Sequence, residues 1–329
     1  MARALAMISG GLDSILAAKL IKEQGIDVIG ICFRSYFFSE ESAKKMTKQI
    51  DIPLVVVDFS PEHLELVKNP KHGRGKNMNP CIDCHAMMMN YAGKLLEEYE
   101  ADFIITGEVL NQRPMSQNRQ ALNIVKKESG FANKILRPLC AKNMDPTEME
   151  LSGLVDREKL LNITGRSRKP QMELAEKWNI TEYPSPAGGC KLTEPNYALR
   201  LRDLLEYKED VEEDELSLLR YGRHIRTEDG NKIIVARTKE EGDEIKKFIN
   251  DKYFYFHTTN FSGALVLLVK EGTEKDIDLA ARVAARYSKG KDESSVEVKY
   301  GPYGKKLENI IKVEPISDKE LEKYMISIR

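Results

Sequence analysis

The chain has 329 residues and a formal net charge of −1, from 51 Lys plus Arg against 52 Asp plus Glu. With 31% charged and 41% hydrophobic residues, a disordered chain is excluded, and at roughly 150 residues per domain two domains are expected. The longest purely apolar run, Ala264 to Val269, is far short of a membrane span, and no signal-peptide layout follows Met1, so a secreted or membrane-spanning protein is not expected.

In chain order, Ala2–Ile8, Asp27–Phe33, Leu54–Asp58, Phe103–Thr106 and Lys134–Arg137 read as strands, mostly unbroken apolar runs of the kind buried parallel strands show. Ser14–Gln24, Glu40–Ile50 and Met87–Glu98 read as helices between them. Strand–helix alternation predicts an α/β fold with a doubly wound parallel sheet. Residues 141–205 read as a smaller helical extension, broken at Thr164–Pro170 and Tyr183–Gly189. From Glu206 to Glu215 seven acids face the single Lys208. That run predicts an acidic linker over 206–220, dividing a domain over 1–205 from one over 221–329. The second domain reads as α+β: a hairpin from His224 to Val235 through Asp229-Gly230, helix Lys239–Phe248, strands Tyr253–His257 and Ala264–Lys270, helix Glu274–Tyr287 and strand Ser295–Tyr300.

The first strand runs into Ser9-Gly10-Gly11-Leu12-Asp13-Ser14, and a helix follows at once. Two glycines allow a tight turn and close backbone approach to a ligand. Exposed N–H groups and the helix dipole then suit phosphate. Ser9 and Ser14 add hydroxyls, and Asp13 offers a hard oxygen ligand for Mg²⁺. The spaced Gly-Lys-Ser/Thr of a Walker loop is missing, and so is the third glycine of the dinucleotide fingerprint. The plainer reading is a Gly-Gly turn with Asp13 as the helix cap.

Five cysteines occur, Cys32, Cys81, Cys84, Cys140 and Cys190. An odd count without a leader predicts a reducing, cytoplasmic setting, where paired cysteines are metal ligands or redox groups more often than staples. Cys81 and Cys84 form a Cys-x-x-Cys in Asn79-Pro80-Cys81-Ile82-Asp83-Cys84-His85, after a loop with Lys68, Lys71, His72, Arg74 and Lys76. The pair reads as a redox dithiol, as half of a zinc site completed by Cys190 and His85, or as part of an iron–sulfur site. Spacing alone does not separate these. Cys32 and Cys140 read as small buried hydrophobes.

The loop resembles the PP-loop ATP pyrophosphatases, whose signature is Ser-Gly-Gly-x-Asp-Ser. These enzymes cleave ATP between the α and β phosphates and adenylate a substrate oxygen. With Asn79–Cys84, the segment Thr106-Gly107-Glu108-Val109-Leu110-Asn111-Gln112-Arg113-Pro114-Met115-Ser116-Gln117 and the later Cys190, the chain resembles the tRNA-thiolating branch of 4-thiouridine and 2-thiouridine synthases. Two-cysteine members of the 2-thiouridine type carry Asp where this chain has Cys81. The resemblance therefore implies the three-cysteine variant, with Cys81, Cys84 and Cys190 as ligands of a [4Fe-4S] cluster. It also implies that Ser9, Gly10, Gly11, Asp13, Ser14, Phe33, Gly107 and Gln112 contact ATP, with Asp13 on Mg²⁺. The resemblance covers about residues 1–205. The given sequence shows no RNA-binding domain ahead of the loop and no rhodanese-like domain after it.

Residues from about Tyr221 to Gly301 resemble the NFACT-type RNA-binding domain, through Gly230–Arg237, Tyr255–Leu268 and Ala280–Lys291. Arg282, Arg286, Lys289 and Lys291 place positive charge along one helix and the loop after it, and His257 and Tyr287 are suited to stack on bases. Residues 239–329 carry seventeen basic and seventeen acidic residues, so composition alone favours a plain solvated surface. The resemblance favours RNA contact.

Together these readings predict an ATP-dependent tRNA uridine thiolation enzyme in which Asp13, Cys81, Cys84 and Cys190 carry the chemistry. The uracil carbonyl oxygen is adenylated, and sulfur held at the open iron of the cluster displaces AMP. The implied partners are tRNA and a sulfide or sulfur-carrier donor; a homodimer is left open. Two alternatives stand beside it: a PP-loop sulfur transferase or ligase acting on a small molecule, and a non-catalytic protein that binds ATP and RNA.

Overall fold

The computed structural model describes residues 2–185 and 189–328. The break expected at Tyr183–Gly189 falls partly on residues 186–188, outside the described ones. The chain divides into two compact units, 1–193 and 194–329.

In the first unit, the strands are β1 (Arg3–Met7), β2 (Asp27–Arg34), β3 (Leu54–Asp58), β4 (Phe103–Thr106) and β5 (Ile135–Leu136). Its helices are α1 (Leu12–Lys22), α2 (Glu41–Gln49), α3 (Ser60–Lys68), α4 (Cys81–Glu98), α5 (Arg119–Glu128), the short α6 (Glu148–Leu151) and α7 (Lys169–Lys177). All strands pair in parallel, in the order β3-β2-β1-β4-β5. The direction of winding reverses between β1 and β4, and at such a switch point the strand ends open a crevice for ligands. The expected doubly wound α/β fold is present.

Alternate residues of β1 serve the two faces of the sheet. Ala4, Ala6 and Ile8 pack with Leu12 and Leu16 of α1, Met46 of α2 and Ala175 of α7. Leu5 packs with Phe59, with Met89 and Leu96 of α4 and with Val125 of α5. Helix α4 starts at Cys81, earlier than the apolar pattern from Met87 implied, because Pro80 ends the extended loop and supplies its cap position. Helices α3 and α5 were not among those read from the sequence; α5 is amphipathic, burying Ala121, Leu122 and Val125, and is started by Asn118, whose side chain accepts from the Ala121 N–H.

The second unit holds α8 (Pro195–Tyr207), α9 (Glu213–Leu218), β6 (Arg223–Arg226), β7 (Lys232–Val235), α10 (Lys239–Ile245), β8 (Phe254–Thr258), β9 (Val266–Leu268), α11 (Glu274–Arg286), β10 (Val296–Pro302), β11 (Asn309–Val313) and α12 (Asp318–Leu321). Its sheet is antiparallel, ordered β11-β10-β8-β9-β7-β6. Val283 and Ala280 of α11 pack on Phe256, Val266 and Val298. Leu218 of α9 and Ile245 of α10 pack on the other face, against Ile234 and Leu267. The hairpin turns at Gly230, with φ 80°. Strand β11 and helix α12 were not anticipated, since 309–321 mixes charge with short apolar runs.

The division lies before the acidic run, not within it. Arg200 of α8 is buried and donates to the carbonyls of Leu219 and Gly222, at 2.8 and 2.9 Å. Asp203 accepts from Arg226 at 2.9 Å and forms an ion pair with Lys232 at 3.1 Å. These buried bonds tie α8 to the second unit. Within the acidic run, Glu212 and Glu215 form a capping box that starts α9, so the carboxylates stabilise a helix N-terminus.

Candidate active site

The loop Ser9–Ser14 leaves the end of β1 at the switch point. Gly10 has φ +79°, and a Cβ there would lie 2.6 Å from Ser42 Cβ and 2.8 Å from Ala43 N. Glycine is required on both counts. The Ser42 hydroxyl donates to Gly10 O at 3.0 Å, fixing the turn against the start of α2. Gly11 takes the cap position of α1, so Asp13 stands in the first helical turn and is not the cap. Ser14 Oγ donates to Gly11 O at 2.8 Å, and Ser9 Oγ donates to Ser14 Oγ at 3.3 Å. Both hydroxyls brace the loop.

Asp13 Oδ2 accepts from Gln112 Nε2 at 2.7 Å. Its Oδ1 is shielded from solvent and has no hydrogen-bond partner among the described residues. Gln112 Oε1 in turn accepts from Gln171 Nε2 at 3.0 Å. Gln112, expected on the nucleotide, thus holds Asp13 with its amide.

β4 delivers Thr106-Gly107-Glu108 beside this loop. A Cβ on Gly107 would lie 2.5 Å from Ser14 N and 2.6 Å from Asp13 C, so glycine lets β4 close directly onto the start of α1. Glu108 is 4% exposed and sits between Arg137 Nε at 2.8 Å and His85 Nδ1 at 2.9 Å. Burial opposes its ionisation, but the Arg137 charge and the bonds from His85 and Arg137 outweigh it, holding the carboxyl down to about 2. Sequence reasoning gave Glu108, Arg137 and Gln171 no role. The one available signal was two charged residues at the ends of apolar strands.

His85 leads from Glu108 to the cysteines. Cys81 and Cys84 lie one turn apart at the start of α4. Asn79 Nδ2 donates to Cys81 Sγ at 3.1 Å. The segment after Cys190 is drawn to the same loop: Met78 N donates to Leu192 O at 3.2 Å, and Asn77 Nδ2 to Thr193 O at 2.7 Å. Burial raises the Cys84 thiol well above its ordinary pKa, and the nearby charges of Cys190, Cys81 and Asp83 raise it further. Among the described residues, no set of three or more His, Cys, Asp or Glu side chains is arranged to hold a metal ion. Cys32 and Cys140 are buried at 3% and 0% exposure, and burial pushes Cys32 up to about 12. They pack as expected of small hydrophobes.

The loop before the pair is less bare in charge than its sequence suggests. Asp83 binds both the backbone N–H of His72, at 2.9 Å, and its Nδ1, at 2.6 Å; Lys71 pairs with Glu128 at 2.7 Å. Phe33 is 6% exposed and its ring packs against Phe59, 5.3 Å between centroids, and Tyr91. Its side chain belongs to the core.

In the second unit, Arg282 makes a two-pronged pair with Glu320 at 2.8 and 2.7 Å, and Arg286 binds Asp318 at 2.6 Å. Both partners belong to α12. Lys289 and Lys291 are exposed, with no ion pair among the described residues. Tyr287 lies under the Arg223 guanidinium, 5.0 Å from its ring centroid, and exposed His257 bonds the Tyr255 hydroxyl at 3.2 Å. Among the described residues no helix is long and apolar enough to cross a membrane.

A parallel doubly wound sheet carrying Ser-Gly-Gly-x-Asp-Ser at its switch point defines a nucleotide-binding domain of the PP-loop class. Residues 1–149 match the family described as thiamine biosynthesis protein (ThiI), and residues 222–325 match the NFACT protein RNA binding domain. The first match lies within the first compact unit and the second within the second. The chain is 35% identical over 119 residues to a tRNA-specific 2-thiouridylase MnmA of Clostridium acetobutylicum, covering 30% of this chain and 34% of that protein. It is 31% identical over 156 residues to a Finegoldia magna protein described as "Probable tRNA sulfurtransferase", covering 45% and 37%. The chain thus spans about a third of the length of these relatives. A solved 4-thiouridine synthetase–RNA complex with bound ATP aligns at 19% identity and a TM-score of 0.36, over 54% of this chain and 52% of that one.

Proposed function

We propose that the chain is an ATP-dependent tRNA uridine thiolation enzyme. One observation carries this reading: the phosphate loop and the cysteine loop are joined by a short path of contacts. Gly107 touches Asp13 and Ser14, Glu108 follows Gly107 and binds His85, and His85 follows Cys84. In this reading an activated substrate at the loop is linked through these contacts to the start of α4, which carries Cys81 and Cys84.

ATP phosphates fit the N–H groups at the start of α1, where the helix dipole favours negative charge. Asp13 Oδ1, unpartnered among the described residues, is a hard anionic donor suited to Mg²⁺, which would offset charge on the phosphates. A uracil carbonyl oxygen attacks the α-phosphate, the bond to the β-phosphate breaks, and pyrophosphate leaves. Sulfur, drawn from sulfide or a sulfur carrier, then displaces AMP from the activated carbon. The three cysteines are soft donors of the kind a sulfur-loving centre takes, and the bonds of Met78 and Asn77 to Leu192 and Thr193 bring the segment after Cys190 to the loop before Cys81. A [4Fe-4S] cluster held by Cys81, Cys84 and Cys190 would supply an iron without a protein thiolate, open to sulfide. The target uridine leaves its stack to reach the site, as base-modifying enzymes require. Lys289 and Lys291, exposed and without an ion pair among the described residues, are cations suited to meet RNA phosphates.

The test is pyrophosphate release with and without tRNA. We expect tRNA to stimulate release by wild type and Asp13→Ala to abolish it while leaving the fold intact. Equal release by wild type and Asp13→Ala would overturn the assignment of the loop.

A further inference from the structure

We propose that Gln171 is a positioning residue for Asp13, acting through Gln112, and this inference rests on the reading of Ser9–Ser14 as an ATP site. A glutamine amide has a donor end and an acceptor end, and a half-turn exchanges them. If Gln112 turned, its oxygen would face the Asp13 carboxylate, acceptor against acceptor. Gln171 prevents the turn: its Nε2 donates to Gln112 Oε1 at 3.0 Å, which commits Gln112 Nε2 to Asp13 Oδ2 at 2.7 Å. With Oδ2 occupied, Asp13 is held with Oδ1 unpartnered among the described residues.

Gln171 is fully buried, and its own Oε1 is unpartnered among the described residues. A leucine or methionine would fill such a place on an apolar helix face without leaving a polar atom unpaired. The donor it supplies to Gln112 accounts for an amide there. The surroundings fix both ends of the chain of bonds. The Gly165 N–H and the Thr164 hydroxyl both donate to Leu110 O, at 2.9 and 3.0 Å, pinning the segment before α7 to the loop that carries Gln112. Helix α7 contributes Ala175 to the same core as Leu12 and Leu16 of α1. The three residues therefore lie on three segments that cannot shift independently.

The experiment measures binding of the non-hydrolysable α,β-methylene analogue of ATP, with Mg²⁺, to the full chain by equilibrium dialysis. Wild type is compared with Gln171→Met, Gln112→Leu, Asp13→Ala and the double variants, and thermal melts are recorded in parallel. Gln171→Met keeps the shape and removes the donor. We expect it to weaken binding about 2- to 10-fold, the range one neutral hydrogen bond carries, with a melt no lower than wild type. Gln112→Leu is expected to do the same. In the Asp13→Ala background neither change should weaken binding further, because their effect passes through Asp13. Wild-type affinity in both Gln171→Met and Gln112→Leu would overturn the proposal, as would an equal loss in both backgrounds. Failure of wild type to bind the analogue, or binding by Asp13→Ala as tight as wild type, would overturn the ATP reading and the relay with it.

Discussion

Asp13 and Arg282 are both charged residues on helices, and both are candidate contacts to a phosphate-bearing partner, yet their surroundings differ. Asp13 is held by one oxygen and keeps the other unpartnered among the described residues, at the switch point between β1 and β4. Arg282 has both guanidinium arms on Glu320, and Arg286 one turn later is tied to Asp318. The first unit leaves polar valence open at the end of its sheet, and along α11 the second unit closes its charge on itself. A row of basic residues is thus a poor guide to a nucleic-acid surface until its carboxylate partners are known. The backbone turn of a phosphate loop dictates its own geometry.

The largest effect that would break this contrast concerns the cysteines. Replacing Cys81, Cys84 or Cys190 by Ala is expected to abolish thiolation and the binding of about four irons per chain. Cys32→Ala or Cys140→Ala should cost only packing, roughly 1 kcal/mol. Metal analysis of anaerobically reconstituted variants checks both; iron retained in Cys190→Ala but lost in Cys140→Ala would reverse the assignment. Next comes Gly107→Ala. Its Cβ would meet backbone atoms of Ser14 and Asp13, which have no flexible side chain to give way. We expect about 1–3 kcal/mol of destabilisation in urea and a larger loss in pyrophosphate release, roughly 100-fold, since the strained contact lies in the phosphate loop.

A third prediction concerns acid. His63 is fully buried, bonded through Nδ1 to Ser35 at 2.8 Å, and burial lowers its pKa from 6.5 to about 4. The unfolded chain takes up this proton below about 6.5 and the folded one only below about 4. Stability is therefore complete above the upper value and is lost as pH falls between the two, by up to roughly 3 kcal/mol. Urea midpoints that stay flat from pH 7 to 4.5 would remove His63 from that role. The smallest effect is the sharpest test of the contrast. Removing Lys289 and Lys291 should flatten the salt dependence of tRNA affinity by about 0.9 per phosphate contact on duplex regions. Arg282→Ala should leave that slope unchanged and cost at most about 1 kcal/mol of stability, as exposed ion pairs do.

The same contrast explains what was legible in the sequence. The parallel strands and the Ser9–Ser14 turn were readable because apolar runs and paired glycines act locally. The gathering of Cys190 with Cys81 and Cys84 was readable only through resemblance, since the bonds that bring it in link Asn77 and Met78 to residues more than a hundred positions on. Glu108, Arg137 and Gln171 were missed because a buried polar residue reveals its role only through its partner. The surroundings of Phe33 and the two arginines were hidden for the same reason: Phe59 packs on one and α12 pairs with the others. The domain limit moved because Arg200 and Asp203 look like ordinary surface charges until Leu219, Arg226 and Lys232 surround them.

The most direct measurement is nucleoside mass spectrometry of unmodified tRNA incubated anaerobically with the reconstituted chain, ATP, Mg²⁺ and sulfide. The expected result is a thiouridine that appears only when ATP is present, is absent with Asp13→Ala and with Cys190→Ala, and accumulates with pyrophosphate. Pyrophosphate released without any thiouridine, or thiouridine formed by Asp13→Ala, would contradict it.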